Sequence, residues 1–439
     1  MKLTWVNHAS YILEYDNVTL ITDPWYEGTA FDNGWALLAK SVIQPNDFLK
    51  VTHIWFSHEH PDHFSPPNLN KIPAEHRKNI TVLFQNTSDR KIAEYCKKIG
   101  FGNVIEMESN TFYSLSPKIE CMCNPHFGGD SWLYLKTDKV KLLNLNDCVI
   151  RHEHDARKIK NSVGDVDVLF TQFGYANKIG NTDETNRRLA ASKEKLERIR
   201  IQCEVLKPSI IVPFASYIYF CHEENSYMND GINRIQDVHR FIENEIKVRS
   251  VVLYPGDTWM IPDHHDSQSA IDRYMEDYKR LDTGELVLQK KKETISIAEL
   301  QSESLSFKKK ILGQQWKNRI FTLYPPAYFW LTDYAKAFKF DLKSGLTESD
   351  FAEEQCNISL SSETLLFSFK FLYGGDTLSI NARFQTNRKT HKKSVRNYFL
   401  VASFVNRNEN PVTKEFIKRV MEYTYPVRGY RRLQSLFGK

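Results

Sequence analysis

Residues 57 to 66 read SHEHPDHFSP, and the interpretation of the whole chain depends on this stretch. It follows the run 51–56, which is mostly apolar, β-branched and aromatic and therefore predicts a buried strand. Ser65 can cap a helix, and Pro66 suits the first helical position, where a missing N–H costs nothing. The histidine-rich stretch therefore lies at the carboxyl end of a strand, where the strand leads into a helix.

This stretch contains metal-ligand residue types at close spacing. Three imidazoles and one carboxylate fall within six residues: His58, His60, Asp62 and His63. Alternate residues of an extended loop can direct both of the first two rings the same way, and the last two residues can face a second point nearby. Imidazole and carboxylate suit first-row metals. A polar loop that is rich in histidine by chance is the alternative, but the spacing favours a metal site.

The pattern H-x-H-x-D-H resembles the signature of the metallo-β-lactamase superfamily. The resemblance implies an α/β fold, an αββα sandwich that holds one or two metals at the edge of two facing sheets. It also implies further ligands later in the chain. His126 follows a predicted strand at 119–123, Asp147 ends a predicted strand at 141–148, and His222 lies in a loop after 210–214.

These positions complete a predicted set of ligands for two divalent metal ions. Asp62 and Asp147 are also the predicted catalytic residues, because a carboxylate at such a centre can orient a metal-activated water. The predicted ligands of the first metal are His58, His60 and His126, and those of the second are Asp62, His63 and His222, with Asp147 bridging both. Iron is the favoured metal, with zinc or manganese as alternatives, because these ligand types suit all three.

Residues around the cluster predict a pocket and a supporting layer. The segment 25–35 is rich in aromatic residues and glycine and predicts a loop that walls a substrate pocket, with ordinary loop packing as the alternative. Asp23 ends a predicted strand, where it can orient a histidine ligand from behind or cap a turn before proline. His8 is predicted to lie near the site. The predicted pocket residues are Trp25, Tyr26, Trp35, Tyr175 and Tyr217.

The length of 439 residues is enough for two domains, or for one large domain with an appendage. We expect a metallo-β-lactamase-like domain at 1–262, a helical and polar linker at 263–310, and an α+β accessory domain at 311–439. The last region is predicted to be rich in strands, including 365–371 and 377–384, and to serve as a lid, a substrate domain or a dimer surface.

A long helix is predicted at 186–206. Its apolar residues, among them Leu189 and Ile199, are expected to face inward. Its basic residues, among them Arg188, Lys195 and Arg198, are expected on polar faces.

Composition narrows the protein class. No run of eighteen apolar residues occurs and the first residues lack a secretory signal, so no membrane partner is expected. Seven scattered cysteines do not form a disulfide pattern, which favours the reducing cytoplasm. The segment 386–439 holds thirteen Lys and Arg against three Asp and Glu, yet such a tail is more often a solvated surface, so nucleic acid is an unlikely partner. A homodimer is among the predicted assemblies.

A narrower resemblance covers roughly residues 1–260. The stretches 23–28, 57–63, 146–148 and 213–222 resemble the metallo-β-lactamase-like part of CMP-N-acetylneuraminate hydroxylase. That resemblance implies an iron-dependent monooxygenase acting on a nucleotide sugar or another anionic small molecule. A Rieske centre needs two Cys/His pairs, and no second pair matches Cys123 and His126. Either a separate electron-transfer protein supplies electrons, or the chemistry needs none. A zinc hydrolase of an ester, lactone or amide is the alternative.

Overall fold

The N-terminal unit, Met1–Lys290, is built on two seven-stranded sheets in the computed structural model of the chain, which describes residues 1–313, 316–387, 389–390 and 393–409. Each sheet has parallel pairing on one side and antiparallel pairing on the other. In sheet order, the first sheet contains Thr258–Met260, Lys2–Asn7, Ser10–Tyr15, Val18–Thr22, His53–Phe56, Thr81–Gln85 and Asn103–Met107. The second contains Arg249–Ser250, Ile210–Phe214, Val168–Gln172, Lys141–Asn144, Ser131–Thr137, Ile119–Pro125 and Tyr113–Ser116.

Helices cover the outer faces of these sheets. The α-helices of this unit are Pro66–Lys71, Ala74–Arg77, Lys91–Lys98, Glu153–Val163, Thr185–Leu206, Ile235–Phe241 and Ser267–Asp282. Short helical turns of other types are Pro45–Lys50, Phe127–Gly129, Ser226–Gly231 and Ile242–Ile246. A small third sheet pairs Thr29–Ala30, Trp35–Leu37 and Ile218–Phe220.

Three apolar layers hold this unit together. The central layer lies between the two sheets and includes the fully buried Trp5, Trp55 and Phe170. One outer layer packs the first sheet against helices such as Lys91–Lys98, and the other packs the second sheet against Glu153–Val163. The order helix, sheet, sheet, helix confirms the predicted αββα sandwich. Within the described residues, no helix combines the length and the apolar character that crossing a membrane would require.

The C-terminal unit, Lys291–Lys439, has its own sheet and its own apolar core. The unit boundary therefore falls inside the predicted linker, 263–310. In order, its sheet contains Gly345–Ser349, Lys336–Asp341, Ala327–Leu331, Ile358–Leu360 and Gln385–Thr386. Its helices are Ile297–Gly313, Trp316–Leu323, Glu353–Gln355, Ser362–Lys370, Gly374–Asn381 and Lys393–Asn406. Residues 410–439, which carry most of the basic tail, lie outside the described residues.

Two strands predicted in this unit are helices instead. The segment predicted as 365–371 belongs to Ser362–Lys370, and most of 377–384 belongs to Gly374–Asn381. Ser361 Oγ caps the first of these helices by accepting from Thr364 N–H. Leu365 and Phe369, one helical turn apart, are buried side by side in the core. The short apolar run was compatible with either structure, and the cap decides for the helix.

The orientation predicted for the long helix, observed as Thr185–Leu206, is wrong in part. Arg188 is fully buried, and Lys195 and Arg198 are more than nine-tenths buried, whereas Leu189 is 45% exposed. Arg188 is held by Asp230, whose Oδ1 lies 2.5 Å from Arg188 Nε. Buried polar partners therefore determine which face of this helix points inward.

Candidate metal centre

The histidine-rich stretch begins where the strand His53–Phe56 ends, and it leads into the helix Pro66–Lys71. The strand is the fifth in its sheet order and is flanked by parallel neighbours, so its carboxyl end opens at the edge of the sandwich. Ser65 occupies the cap position but makes no side-chain capping bond. The backbone therefore places the stretch as the sequence predicts.

Ser57 and Asp23 fix the orientation of two histidine rings. Ser57 Oγ donates its single hydrogen to Asp23 Oδ2 at 2.7 Å, so at 2.9 Å it accepts from His58 Nδ1. His63 Nδ1 donates to Asp23 Oδ2 at 2.9 Å. Both rings thus carry a hydrogen on Nδ1 and direct Nε2 into the site, where a bound metal would take the place of the Nε2 proton that the carboxylates favour on His63.

One group of possible ligand atoms contains His58, His60 and Asp130, all within 4.8 Å of one another. His58 Nε2 lies 2.8 Å from His60 Nδ1 and 3.8 Å from Asp130 Oδ1. Two ligands that are each about 2.1 Å from one cation lie roughly 3.0–3.4 Å apart. The observed spacings bracket that range, so these three side chains can share one cation.

A second region joins His63 to two carboxylates and to His8. His63 Nε2 lies 3.2 Å from Asp62 Oδ2 and 3.6 Å from Asp147 Oδ2. His8 Nε2 lies 3.3 Å from Asp62 Oδ2. His8, Asp62 and His63 form one further group at ligand spacing, and His58, His63 and Asp147 form another. We call these residues together the candidate centre: His8, His58, His60, Asp62, His63, Asp130 and Asp147.

The electrostatics of the candidate centre suit cation binding. Burial, with the neighbouring His63 and His60 rings, holds the pKa of His58 well below its ordinary value, so this ring is neutral. Burial would also lower the pKa of His63, but Asp62, Asp147 and Asp23 outweigh it and raise that pKa well above the ordinary value. Burial would raise the pKa of Asp62, but His63 and His8 hold it well below the ordinary value. The carboxylates therefore concentrate negative charge at this point.

Within the part of the chain that the structure describes, the buried oxygen Asp62 Oδ1 lacks a hydrogen-bond donor, and a bound cation would take that donor's place. A buried carboxylate oxygen without a partner costs about 1–3 kcal/mol or more. The donor set, the spacing and this atom together fit a metal site.

Asp23 is the hub of the layer behind the ligands. It is fully buried and accepts hydrogen bonds from Ser57 N–H, Ser57 Oγ, His63 Nδ1 and Asn146 Nδ2. Asp23 and His8 both have φ of +35°, and Asn146 has φ of +48°. Such backbone conformations cost of order 1–3 kcal/mol each, so the surrounding structure holds these residues in place against strain.

Two predicted ligands lie outside these groups. Among the described residues, none of the three groups at ligand spacing contains His126 or His222. His126 Nε2 bonds Val149 C=O at 3.2 Å, and His222 Nδ1 accepts from Glu224 N–H at 3.2 Å. The backbone of His222 is also held by Asn225 Oδ1. The structure thus turns both rings toward their own loops.

The loop after the strand Ile119–Pro125 brings Asp130, and not His126, to ligand spacing from His58 and His60. Gly128 and Gly129 have φ of +94° and +101°, conformations that favour glycine, and they reverse the chain. His126 N–H then donates to Asp130 C=O at 2.7 Å, which closes the loop. Gln85 Nε2 donates to Gly129 C=O at 2.6 Å and to Ser57 C=O at 3.1 Å, tying the loop to the motif. Asp130, a possible ligand, and Gln85, which ties its loop to the motif, were not among the site residues predicted from the sequence.

Substituting these two loop residues separately tests which one binds metal. We expect Asp130→Ala to weaken metal binding by at least about 10-fold, since it removes a carboxylate that faces His58. His126→Ala should leave the affinity within about twofold of the wild type. The measurement is a titration of metal-free protein with Co²⁺. A loss of affinity in His126→Ala alone would restore the histidine as the ligand.

The predicted pocket residues divide between the centre and the core. The Trp25 ring lies 5.7 Å from the His8 ring, and Phe31 joins His60 to Trp35 at ring distances of 5.6 and 4.6 Å. Trp25 and Trp35 are almost fully buried. The segment 25–35 therefore forms an apolar wall beside the centre.

The other three pocket residues point elsewhere. Tyr26 bonds Asn68 C=O and packs in the outer core of the first sheet. Tyr217 stacks on Tyr274 at 4.4 Å in the central core. Tyr175 bonds Met228 C=O. The aromatic content of the sequence does not distinguish side chains that line the pocket wall from side chains that pack in the hydrophobic core.

Comparison with known proteins agrees with this geometry. A family model described as "Beta-lactamase superfamily domain" matches residues 2–215. These residues are a beta-lactamase superfamily domain. The match covers the motif, the loop of Asp130, and Asp147, which lie in loops next to strands of the two central sheets. Domains of this fold typically bind two metal ions.

Curated relatives of the beta-lactamase superfamily domain include hydroxylases. The chain is 26% identical over 282 residues to the cytidine monophosphate-N-acetylneuraminic acid hydroxylase of Xenopus laevis, covering 58% of this chain and 45% of that protein. It is 27% identical over 183 residues to a putative Rieske 2Fe-2S iron-sulfur protein of Mycolicibacterium smegmatis, covering 40% and 32%. The chain spans about half the length of the curated relatives it matches. The first of these similarities confirms the narrower family resemblance.

Solved structures show similarity as well. CmlA, a diiron β-hydroxylase from Streptomyces venezuelae, aligns with a TM-score of 0.43 and 15% identity, covering 59% of this chain and 54% of that one.

Proposed function

We propose that the chain is a dinuclear metal enzyme, an O2-dependent iron oxygenase that hydroxylates an anionic small molecule. The supporting observation is that each of the three groups at ligand spacing combines two histidines with one carboxylate. Two histidines and one carboxylate with open positions are the ligand set of non-haem iron oxygenases. The ligands predicted from the sequence for the first metal were three histidines, His58, His60 and His126.

Each side chain of the candidate centre has a distinct part in this proposal. His58, His60 and Asp130 would hold one cation, and Asp62 and His63 would hold the other. Asp147 faces His63 and lies at ligand spacing from His58, which is the arrangement of a bridging carboxylate. Bound iron would supply the activation of dioxygen. Ser57 and Asp23 direct Nε2 of both His58 and His63 into the site, and residues 25–35 place aromatic rings beside His8 and His60.

Hydroxylation needs an electron donor. One oxygen atom of O2 enters a C–H bond and the other becomes water, which takes two electrons and two protons from outside the substrate. An iron–sulfur electron-transfer protein is the expected source. Its support is the similarity to a relative named as a putative Rieske protein.

The substrate proposal rests on the relatives and on one groove. The hydroxylase relative is named for a nucleotide sugar, cytidine monophosphate-N-acetylneuraminic acid. A groove of about 350 Å³ lies in the loop region before Asp130, lined by Trp132, His126 and Lys158 among others. The groove also contains the Asp155 carboxylate and the exposed Phe127 ring, and its imidazole and ammonium groups suit a polar ligand such as a sugar that carries phosphate or carboxylate.

A zinc hydrolase is the second candidate. The same imidazole and carboxylate ligands suit Zn²⁺, and two zinc ions about 3.5–4 Å apart would generate a hydroxide near neutral pH. In that chemistry Asp62 would orient the attacking water toward an ester, lactone or amide. The observation in its favour is membership of a superfamily that includes hydrolases.

Oxygen uptake separates the two candidates. Protein purified without chelators should contain iron, and with a chemical reductant and CMP-N-acetylneuraminate it should consume O2 at a rate that depends on the added compound. The His60→Ala variant should show no such uptake. Zinc-loaded protein that cleaves an ester or lactone without O2 or reductant, while the iron form consumes no O2, would support the hydrolase instead.

A further inference from the structure

Lys195 is a buried basic residue that the proposed chemistry leaves without a role. It lies in the helix Thr185–Leu206 and is only 8% exposed, whereas Lys193, two positions earlier, is exposed. Burial, with the charge of Arg198, lowers the pKa of Lys195 to about 7, and Asp147 opposes that shift. A lysine is kept in so costly a place when its head group has a specific partner.

A chain of hydrogen bonds connects this lysine to the candidate centre. Lys195 Nζ donates to Gln172 Oε1. Gln172 Nε2 donates to Asp147 Oδ1 at 2.9 Å. The other carboxylate oxygen, Asp147 Oδ2, is the one that faces His63 Nε2 at 3.6 Å. The chain therefore runs from a helix outside the second sheet to a predicted bridging ligand.

The nearby carboxylate on the same helix is already engaged. Glu194 accepts from Arg198 Nε at 2.8 Å and lies 3.6 Å from Arg151 Nε. Two guanidinium groups thus balance the charge of Glu194. The head group of Lys195 instead meets the side-chain amide of Gln172 at the end of the strand Val168–Gln172.

We propose that Lys195 is a positioning residue that sets the direction of the Gln172 amide and thereby aims Asp147 at the second metal. When protonated, the Lys195 head group carries only donors, and the amide oxygen accepts from it while the amide NH2 does not, so Oε1 faces the lysine. The NH2 group then points to Asp147 and occupies Oδ1. Oδ2 remains directed toward His63 and the metal. Without Lys195, the Gln172 amide can rotate by half a turn and place its oxygen next to Asp147 Oδ1. The two oxygens then repel each other, and the orientation of the Asp147 carboxylate is no longer fixed.

Metal titration of full-length protein tests this inference, which rests on the proposed dinuclear centre. Metal-free wild type, Lys195→Met and the matched control Lys193→Met are titrated with Co²⁺ without substrate or O2. We expect Lys195→Met to bind the second Co²⁺ about 10-fold more weakly, in the range seen when groups behind a ligand are removed, with a changed visible spectrum. Lys193→Met should match the wild type. A second-metal affinity of Lys195→Met within twofold of the wild type would overturn the inference.

A double-mutant cycle separates this role from general packing. Gln172→Met should itself weaken the second site by at least about 10-fold, and adding Lys195→Met to it should weaken the site no further, because both residues act through one chain of bonds. Fully additive losses would mean that Lys195 acts through packing and not through Gln172.

Two controls keep the result interpretable. If metal-free Lys195→Met does not fold, Lys195→Arg decides, since it keeps a donor-only head group: retention of the second site within about threefold supports the inference, and a 10-fold loss contradicts it. Wild-type protein that binds no second Co²⁺ would refute the dinuclear centre itself. Two metals in both wild type and Lys195→Met, with equal affinities, would refute only the role of Lys195.

Discussion

Replacing His60 by alanine should reduce the metal content of the protein from two ions per chain to one or fewer. His60 Nδ1 lies 2.8 Å from His58 Nε2, and the two rings together with Asp130 define one cation position. Loss of a direct ligand should weaken that position by about 100-fold or more, since groups behind a ligand already account for about 10–100-fold. His60 is only partly buried, so the fold should tolerate the change. Metal analysis of the purified protein measures the outcome.

His154→Ala is the matched control for this prediction. The side chain of His154 is 65% exposed and contacts Asp155, away from the centre. This variant should keep the metal content of the wild type. Two ions per chain in His60→Ala would place both metals elsewhere and contradict the proposed ligand set.

Asp23→Asn should cause the largest loss of stability among substitutions behind the centre. Asp23 is fully buried and accepts four hydrogen bonds, including those from Ser57 and His63. An amide NH2 at this place turns one acceptor into a donor that faces donors. We expect the free energy of unfolding to fall by about 3 kcal/mol, the scale of breaking a buried charge-assisted pair.

Urea denaturation of metal-free protein, followed by tryptophan fluorescence, measures this loss. Six of the eight tryptophans lie before residue 290, so the signal reports chiefly on the N-terminal unit. Asp16→Asn is the control, because Asp16 is an exposed turn residue and should change stability by less than about 0.5 kcal/mol. If Asp23→Asn stays within 1 kcal/mol of the wild type, Asp23 is not the hub that its contacts indicate.

The sequence was sufficient for the sandwich and for the first part of the centre. The stretch 57–66 carries four candidate ligands within six residues, so local geometry already places His58, His60, Asp62 and His63 close together. Asp147 could be predicted because it follows a buried strand whose carboxyl end meets the same edge. The sequence therefore predicts those parts of the site whose positions depend on residues that are near one another in the chain.

The position of Asp130 at ligand spacing from His58 depends on a chain reversal that the sequence indicates only through two glycines. Two adjacent glycines at 128 and 129 allow the turn, but its direction is fixed by Gln85, which comes from a distant strand. The burial of Lys195 likewise depends on Gln172 and Asp147, which lie far from it in sequence. Such partners become visible only in three dimensions. The roles of His126 and His222 as ligands, of residues 291–439 as an accessory domain, and a homodimer stay predictions.

Anomalous diffraction from crystals of the metal-loaded protein locates the metal ions directly. We predict two peaks about 3.5–4 Å apart. One should lie within bonding distance of His58 Nε2, His60 Nδ1 and Asp130, and the other of Asp62 and His63, with Asp147 between them. A single peak bound by His126, with the Asp130 carboxylate turned away, would contradict it.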